Sequence, residues 1–156
     1  MMEVRRRTAA TPKEVFAVIM DGWLYPCWVV GAARMRAVDD SWPAEGACLH
    51  HSFGLWPTMI NDTTTVLVNE APSRIVLQAR GWPLGEATVE IRVDAWGQGS
   101  LVSITEDATK GPGRLVPPPA RQAVLAVRNR ETLRRLVLIA EGRAGKSDAG
   151  ELSAGE

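Results

Sequence analysis

The stretch PARQAVLAVRNRETLRRLVLIAE, residues 119–141, is the longest segment of this sequence with a helical pattern of apolar residues. Residues spaced by three and four positions share one side of a helix. That side carries Ala126, Asn129, Leu133, Leu136 and Ala140, with Val137 beside them. The charged residues fall mostly on other faces: Arg128, Arg130, Glu131, Arg134 and Arg135. The pattern predicts a long helix with one side meant for burial.

The chain before this helix predicts one strand, two short helices and six more strands. Residues 3–9 have an extended pattern, and Thr11, Pro12 and Glu14 form a capping-box sequence that should start a helix at Pro12. Pro26 can open a second short helix. The further strands are predicted at 33–39, 47–56, 61–70, 74–81, 85–95 and 100–108. The Gly- and Pro-rich segment 110–119 should lack regular structure.

Turns this short favour antiparallel neighbours. An apolar sheet face needs the apolar side of a helix to cover it. We therefore expect an α+β domain in which a curved, seven-stranded antiparallel sheet surrounds the long C-terminal helix. Residues 143–156 are rich in Gly, Ala, Ser and acids, and predict a disordered tail.

Composition excludes several classes of protein. Of the 156 residues, 18 are Lys or Arg and 18 are Asp or Glu, so no overall field favours nucleic acid. No segment has the roughly 20 apolar residues needed to span a bilayer, and no secretory leader is evident. We expect a cytoplasmic protein, a monomer or a homodimer, with Cys27 and Cys48 as free thiols.

Two segments resemble a known superfamily. The first runs from Thr11 to Trp28 and includes Tyr25-Pro26-x-Trp28; the second runs from Arg128-Asn129-x-Glu131 to Ala140-Glu141. Both are similar to the START-like superfamily, also called SRPBCC or polyketide cyclase/dehydrase-like, in its bacterial single-domain form. The resemblance implies a helix-grip fold over residues 1–142 and a cavity for a hydrophobic small molecule. It carries over no catalytic residue.

Strand parity indicates which side chains reach this cavity. In strand 47–56 the more apolar face carries Leu49, His51, Phe53 and Leu55, which makes His51 the candidate interior titratable group. In the last strand Val102 and Ile104 point inward, and Glu106 should follow them. Such a buried carboxylate could bind ligand or act as a base.

Other candidates depend on less decisive patterns. Either face of strand 74–81 could be the inner one, so Arg80 is an ambiguous catalytic candidate beside His51 and Glu106. Asn129 interrupts the apolar stripe of the long helix next to Leu133 and should hydrogen-bond in the interior, to the protein or to ligand. Each of these residues can also have a purely structural role.

Large apolar side chains could form the mouth of the cavity. The sequence has six tryptophans, and Trp28, Trp56 and Trp82 lie near predicted element ends. Leu115, in segment 110–119, could close over ligand as part of a lid, or that segment could be a linker.

Binding of a hydrophobic small molecule, such as a lipid, a polyketide or an aromatic compound, is the function that these patterns favour. One alternative is a cyclase, aromatase or dehydratase that uses His51, Glu106 or Arg80; another is a non-catalytic interaction module. Adjacent His50 and His51 point to opposite faces, and no cofactor-binding motif is present. We expect neither a metal nor a cofactor.

Overall fold

A computed structural model of the protein describes residues 2–54, 57–81 and 85–153. The element order along the chain begins with strand β1 and helices α1 and α2, continues through strands β2 to β7, and ends with helix α3. The helices are α1 (Pro12–Met20), α2 (Tyr25–Trp28) and α3 (Pro118–Ser153). A short 3₁₀ turn, Gly22–Leu24, joins the first two.

The sheet has seven strands, all antiparallel to their neighbours, in the order β1-β7-β6-β5-β4-β3-β2. The strands are β1 (Glu3–Thr8), β2 (Ala32–Val38), β3 (Cys48–Phe53), β4 (Ile60–Glu70), β5 (Arg74–Gly81), β6 (Gly85–Trp96) and β7 (Gly99–Lys110). This arrangement of a curved sheet around a C-terminal helix confirms the predicted α+β helix-grip fold.

The start of α1 follows from its capping residues. The Thr11 side chain accepts a hydrogen bond from the Glu14 amide at 3.3 Å, and the Glu14 carboxylate accepts one from the Thr11 amide at 2.7 Å. These bonds satisfy two amides that a helix start leaves without partners. Pro12 occupies the first turn, where its missing N–H costs nothing. The helix start predicted at Pro12 is confirmed.

Helix α3 has the predicted phase. Asn129, Leu133, Leu136 and Ala140 are all buried. The three apolar residues of this set belong to the main core together with Phe16 and Ile19 of α1. The core lies between the concave face of the sheet and these two helices. The polar Asn129 therefore points inward, as its place on the apolar stripe indicates.

Two predictions about the ends of α3 differ from the structure. The predicted helix end at Glu141 is wrong, because α3 continues to Ser153, and the last residues of the expected tail, 154–156, lie outside the described residues. Gly142 and Gly145 cost about 1 kcal/mol each in a helix, and the Ala, Lys and Glu residues around them are good helix formers. In the segment 110–119, predicted to be irregular, Pro112–Leu115 form a 3₁₀ turn. Gly111 precedes that turn with φ of 88°, a conformation that favours glycine.

Candidate functional site

The interior beneath the middle of α3 contains a small space of about 10 Å³. It is lined by Tyr25, Trp28, Val29, Leu77, Val89, Ile91, Ile104, Arg128 and Thr132. A space of this size holds about one water molecule. The interior is therefore nearly filled in this conformation, but its lining is not purely apolar.

A chain of three polar side chains crosses the interior beside this space. The Thr64 hydroxyl lies 3.0 Å from the Tyr25 hydroxyl and 2.8 Å from His51 Nε2. The Tyr25 and His51 rings are stacked, with centroids 5.3 Å apart. All three residues are buried. The contacts hold both rings in place and leave His51 Nδ1 without a partner.

Burial sets the protonation of the two titratable members. Burial lowers the pKa of His51 to about 4, so its imidazole is neutral at neutral pH. Burial also raises the pKa of Tyr25, which keeps the phenol protonated. The chain Tyr25–Thr64–His51 is thus a neutral hydrogen-bonded unit at neutral pH, because neither ring readily gains or loses a proton.

An ion pair forms the second polar group of the interior. Arg128 Nη1 of α3 donates to Glu106 Oε1 of β7 at 3.0 Å. The Glu106 side chain is 2% exposed and that of Arg128 is 28% exposed. A buried carboxylate requires such a partner, because an isolated charge in the interior is very costly. The predicted inward position of Glu106 is therefore confirmed.

Sequence reasoning missed Arg128, which it assigned to the charged faces of α3, and it also missed Tyr25 and Thr64. A usable signal existed for Arg128. Glu106 was expected inside, so some cation had to approach it, and Arg128 directly precedes the buried Asn129. Tyr25 and Thr64 had no comparable signal, because their contact joins residues 39 positions apart.

Unpaired buried polar atoms concentrate at this site. Among the described residues, the buried side-chain atoms without a hydrogen-bond partner include Trp28 Nε1, His51 Nδ1, Glu106 Oε2, Arg128 Nε and Asn129 Oδ1. Buried polar atoms in folded proteins are nearly always hydrogen-bonded. Trp28 and Arg128 both line the small space, so two unsatisfied N–H donors belong to residues around one point. These unpaired atoms can form hydrogen bonds with a ligand or with water.

The remaining candidates from the sequence fall in different places. Phe53 is half-buried, and its ring meets the edge of His51 with centroids 5.5 Å apart. Val102, Ile104 and Leu133 are core residues. Trp28 was expected at the mouth of a cavity, but only 2% of it is exposed because α2 turns it into the core. Leu55, Trp56 and Trp82 lie outside the described residues.

Two candidates point away from the interior. Ile75, Leu77 and Ala79 of β5 pair with the inward residues of β6, so Arg80 lies on the outer face. There Arg80 Nε lies 3.3 Å from Glu86 Oε1, and the Arg80 side chain is 56% exposed. Leu115 is 85% exposed in the 3₁₀ turn and covers no part of the site in this conformation.

The first turns of α3 are joined to β7 by polar contacts. Arg121 Nη2 lies 2.9 Å from Asp107 Oδ1, and Gln122 Nε2 donates to the Glu106 carbonyl at 3.3 Å and to Asp107 Oδ1 at 3.2 Å. We call Asp107, Arg121 and Gln122 the polar latch. Val124 and Val127 in the same part of the helix are 70% and 65% exposed. Polar contacts thus contribute much of the attachment of this end to the sheet.

The family of the chain follows from its similarity to known proteins. Residues 1–141 match the family described as polyketide cyclase / dehydrase and lipid transport. The chain belongs to that family. The resemblance to the START-like (SRPBCC) superfamily is thereby confirmed. No curated protein sequence matches the chain.

Solved structures share the fold at low sequence identity. The chain is 16% identical to the di-domain ARO/CYC StfQ from the steffimycin biosynthetic pathway, with a TM-score of 0.70 over 92% of this chain and 51% of that one. It thus spans about half the length of StfQ. A protein from Rhodobacter sphaeroides is 23% identical, with a TM-score of 0.66 over 90% of this chain and 91% of that one. CalU16 from Micromonospora echinospora is 21% identical, with a TM-score of 0.60 over 97% of this chain and 84% of that one.

Two kinds of feature are absent from the described residues. None of the helices in residues 2–54, 57–81 and 85–153 combines the length and apolar character needed to cross a membrane. Within the same ranges, no three His, Cys, Asp or Glu side chains are grouped so that they could hold a metal ion.

Proposed function

We propose that this protein binds a neutral, largely apolar small molecule that carries a carbonyl oxygen, in the interior between the sheet and α3. The observation that carries the proposal is the pair of unpaired buried N–H donors, Trp28 Nε1 and Arg128 Nε, on residues that line one space. A carbonyl oxygen has two lone pairs and accepts from two donors at once.

The charge of the site favours a neutral ligand. Arg128 is already compensated by Glu106, whose side chain is 2% exposed. A carboxylate at the same place would leave one negative charge without a counterpart in the interior, which is costly. Glu106 Oε2 and Asn129 Oδ1 add acceptors that a ligand hydroxyl could satisfy. A hydroxylated ketone therefore matches the site better than a fatty acid does.

Binding requires the interior to expand. A space of about 10 Å³ admits a water molecule, whereas pockets for organic ligands are about 300–1,000 Å³. The part of the structure best suited to move is the start of α3, residues 118–127, which we call its first half, because the polar latch joins it to β7 while Val124 and Val127 remain exposed. We propose that this half of α3 separates from β7 when ligand enters.

The family supports the same class of ligand. Its description joins polyketide cyclases and dehydrases with lipid transport, and polyketide and lipid molecules are largely apolar. StfQ is described as an ARO/CYC from a biosynthetic pathway. Similarity at 16% identity supports the fold alone, so the ligand class of this chain depends on its own interior residues.

A matched pair of compounds tests the proposal. 2-Acetylnaphthalene and 2-ethylnaphthalene have similar size, but only the first carries a carbonyl oxygen. Titration calorimetry should show tighter binding of the ketone, and Trp28→Phe or Arg128→Met should reduce that preference about tenfold, equal to about 1.4 kcal/mol. Trp23→Phe is the control, because Trp23 is 60% exposed. Equal binding of both compounds, unchanged by either interior variant, would refute the proposal, as would the absence of binding.

A cyclase or dehydratase activity is the second candidate, because the buried carboxylate of Glu106 is paired with Arg128 beside the proposed carbonyl position. Glu106 Oε2 is unpaired and could accept a proton from the carbon beside a ketone, while Arg128 and Trp28 stabilise the enolate oxygen. Proton–deuteron exchange at C2 of 1-phenyl-1,3-butanedione measures this step. The protein should accelerate the exchange and Glu106→Gln should abolish the acceleration; exchange at the buffer rate with the unmodified protein would exclude it.

A further inference from the structure

A second cleft in the described part of the molecule lies outside the interior, between edge strand β1 and helix α3. Its volume is about 370 Å³, within the range of small-molecule pockets, whereas the interior space is about 10 Å³. Strand β1 pairs with β7 on one side, so its inner face at the sheet edge meets α3 directly.

Polar contacts hold β1 against α3 at both ends of this cleft. At one end the Met2 amide donates to Gln122 Oε1 at 2.8 Å. At the other end the Thr8 hydroxyl donates to Glu141 Oε1 at 2.6 Å. The opening of the cleft lies between these two contacts.

The floor of the cleft is apolar. Val4 and Leu133 line it, and they are 8% and 0% exposed. Met2 adds a partly exposed apolar side chain at the rim. An alkyl or aryl group lying on this floor would be removed from water, which stabilises binding by about 25 cal/mol per Å² of apolar surface.

The walls of the cleft are cationic. Arg6 follows Val4 on the inner face of β1, since their partners Val102 and Ile104 in β7 both point inward, and Arg130 lies one turn before Leu133 on α3. Both arginines line the cleft and are exposed. Neither belongs to any ion pair among the described residues.

The acidic side chain in the lining does not neutralise these arginines. Glu3 is bound by Arg5 at 2.5 Å, so that pair contributes no net charge. Arg6 and Arg130 therefore leave the cleft with two uncompensated positive charges in a chain whose formal net charge is zero. Elsewhere on α3, Arg121, Arg128 and Arg135 each have a carboxylate partner.

We propose that the cleft between β1 and α3 is a second binding site, selective for an amphipathic oxyanion: a carboxylate or phosphate on an apolar body. Arg6 and Arg130 bind the oxyanion, and Met2 and Val4 contact the apolar part. Guanidinium groups match the geometry of carboxylate and phosphate oxygens. The site is independent of the proposed interior function and differs from it in charge, since the interior favours a neutral ligand.

Octyl phosphate, octanoate and octanol are the probes, because they share the chain and differ in the head group. Calorimetry should show binding of both anions and no measurable binding of octanol. Arg6→Gln and Arg130→Gln should each weaken anion binding about tenfold or more, and higher salt should weaken it further. Arg34→Gln, an exposed arginine on β2, and Trp28→Phe, in the interior, should leave it unchanged.

Two results would overturn the proposal: anion affinity unchanged in both cleft variants, or equally weakened by Arg34→Gln. A vesicle-binding experiment shows whether the anion is a lipid head group or a free amphiphile. Sedimentation with phosphatidylcholine vesicles that contain phosphatidic acid, dependent on Arg6 and Arg130, assigns a lipid head group. Binding of octyl phosphate without vesicle sedimentation assigns a free amphiphile. Trp28→Phe separates the two sites, because its effect on ketone binding tests the interior alone.

Discussion

Two parts of helix α3 differ in what attaches them to the rest of the molecule: the first half, residues 118–127, and residues 130–153, which we call the second half. In the second half Leu133, Leu136 and Ala140 are 0% exposed and pack in the main core. Among the described residues of the first half, Ala126 alone joins the core, Val124 and Val127 are 70% and 65% exposed, and the polar latch joins the helix to β7. Arg128 and Asn129 lie where the two halves meet.

Because of this difference, one part of the helix should stabilise the fold and the other should open for ligand. Burial of apolar surface is the dominant favourable term in folding, so the second half of α3 should hold the fold together. Surface ion pairs contribute only about 0–1 kcal/mol, so the first half can open at low cost. The proposed ligand site lies beneath the junction, where opening exposes polar groups without breaking the core.

The largest expected effect tests the apolar half. Leu136→Ala should lower the free energy of unfolding by about 2–5 kcal/mol, because it leaves a cavity in a packed core. Urea denaturation measures the change. Leu138→Ala, at a half-exposed position of the same half, and Val127→Ala in the first half should each cost about 0.5 kcal/mol or less. Equal losses of unfolding free energy in Leu136→Ala and Val127→Ala would show that the two halves of α3 contribute equally to stability.

The second prediction concerns the pH dependence of stability near the junction. Because the pKa of His51 is about 4 in the folded protein and about 6.5 when unfolded, the unfolded state binds more protons between these values. Stability is therefore complete above pH 6.5 and falls as pH drops towards 4, by up to about 3 kcal/mol. His51→Gln should flatten this part of the profile. A profile of the same slope in the variant would show that His51 is not the group responsible.

A smaller effect is expected for the ion pair that joins α3 to β7. Glu106→Gln or Arg128→Met should each destabilise the fold by about 1–3 kcal/mol, the moderate range reflecting the 28% exposure of Arg128. The double variant should lose less than the sum, with a coupling energy of about 1 kcal/mol or more. Additive losses in denaturation would show that the two residues stabilise the fold independently.

The polar latch should affect kinetics more than stability. Arg121→Gln removes an ion pair with a 2.9 Å separation and should change the free energy of unfolding by about 1 kcal/mol or less. It should accelerate association of 2-acetylnaphthalene several-fold in stopped-flow fluorescence, because the first half of α3 opens more often. Arg134→Gln, which breaks a contact to Glu131 in the second half, is the matched control. Equal association rates in all three proteins would argue against access through this half.

Local patterns predicted much of the fold and part of the site. The period of α3 placed Asn129 inside, and strand parity placed His51 and Glu106 inside, because both patterns depend only on neighbouring residues. The capping residues Thr11 and Glu14 located the start of α1. These features are set by local geometry and burial.

Contacts between distant parts of the chain were not predictable in this way. Arg128 meets Glu106 across 22 positions, and no local period shows that an arginine next to the buried stripe turns inward. The face of Arg80 depended on how β5 pairs with β6, which parity alone leaves open. The predicted end of α3 was wrong because the glycines were taken to end the helix, although the residues between them are good helix formers.

The most direct test of the central claim is the response of the tryptophan indole N–H signals to a ketone. The six tryptophans give separate signals in a ¹⁵N-labelled sample, and Trp28→Phe identifies the signal of Trp28. Addition of 2-acetylnaphthalene should move the Trp28 signal downfield, because its unpaired Nε1–H gains an acceptor, and should leave the exposed Trp23 and Trp96 unchanged. A constant Trp28 signal at saturating ketone, or shifts confined to Trp23 and Trp96, would contradict an interior ligand site.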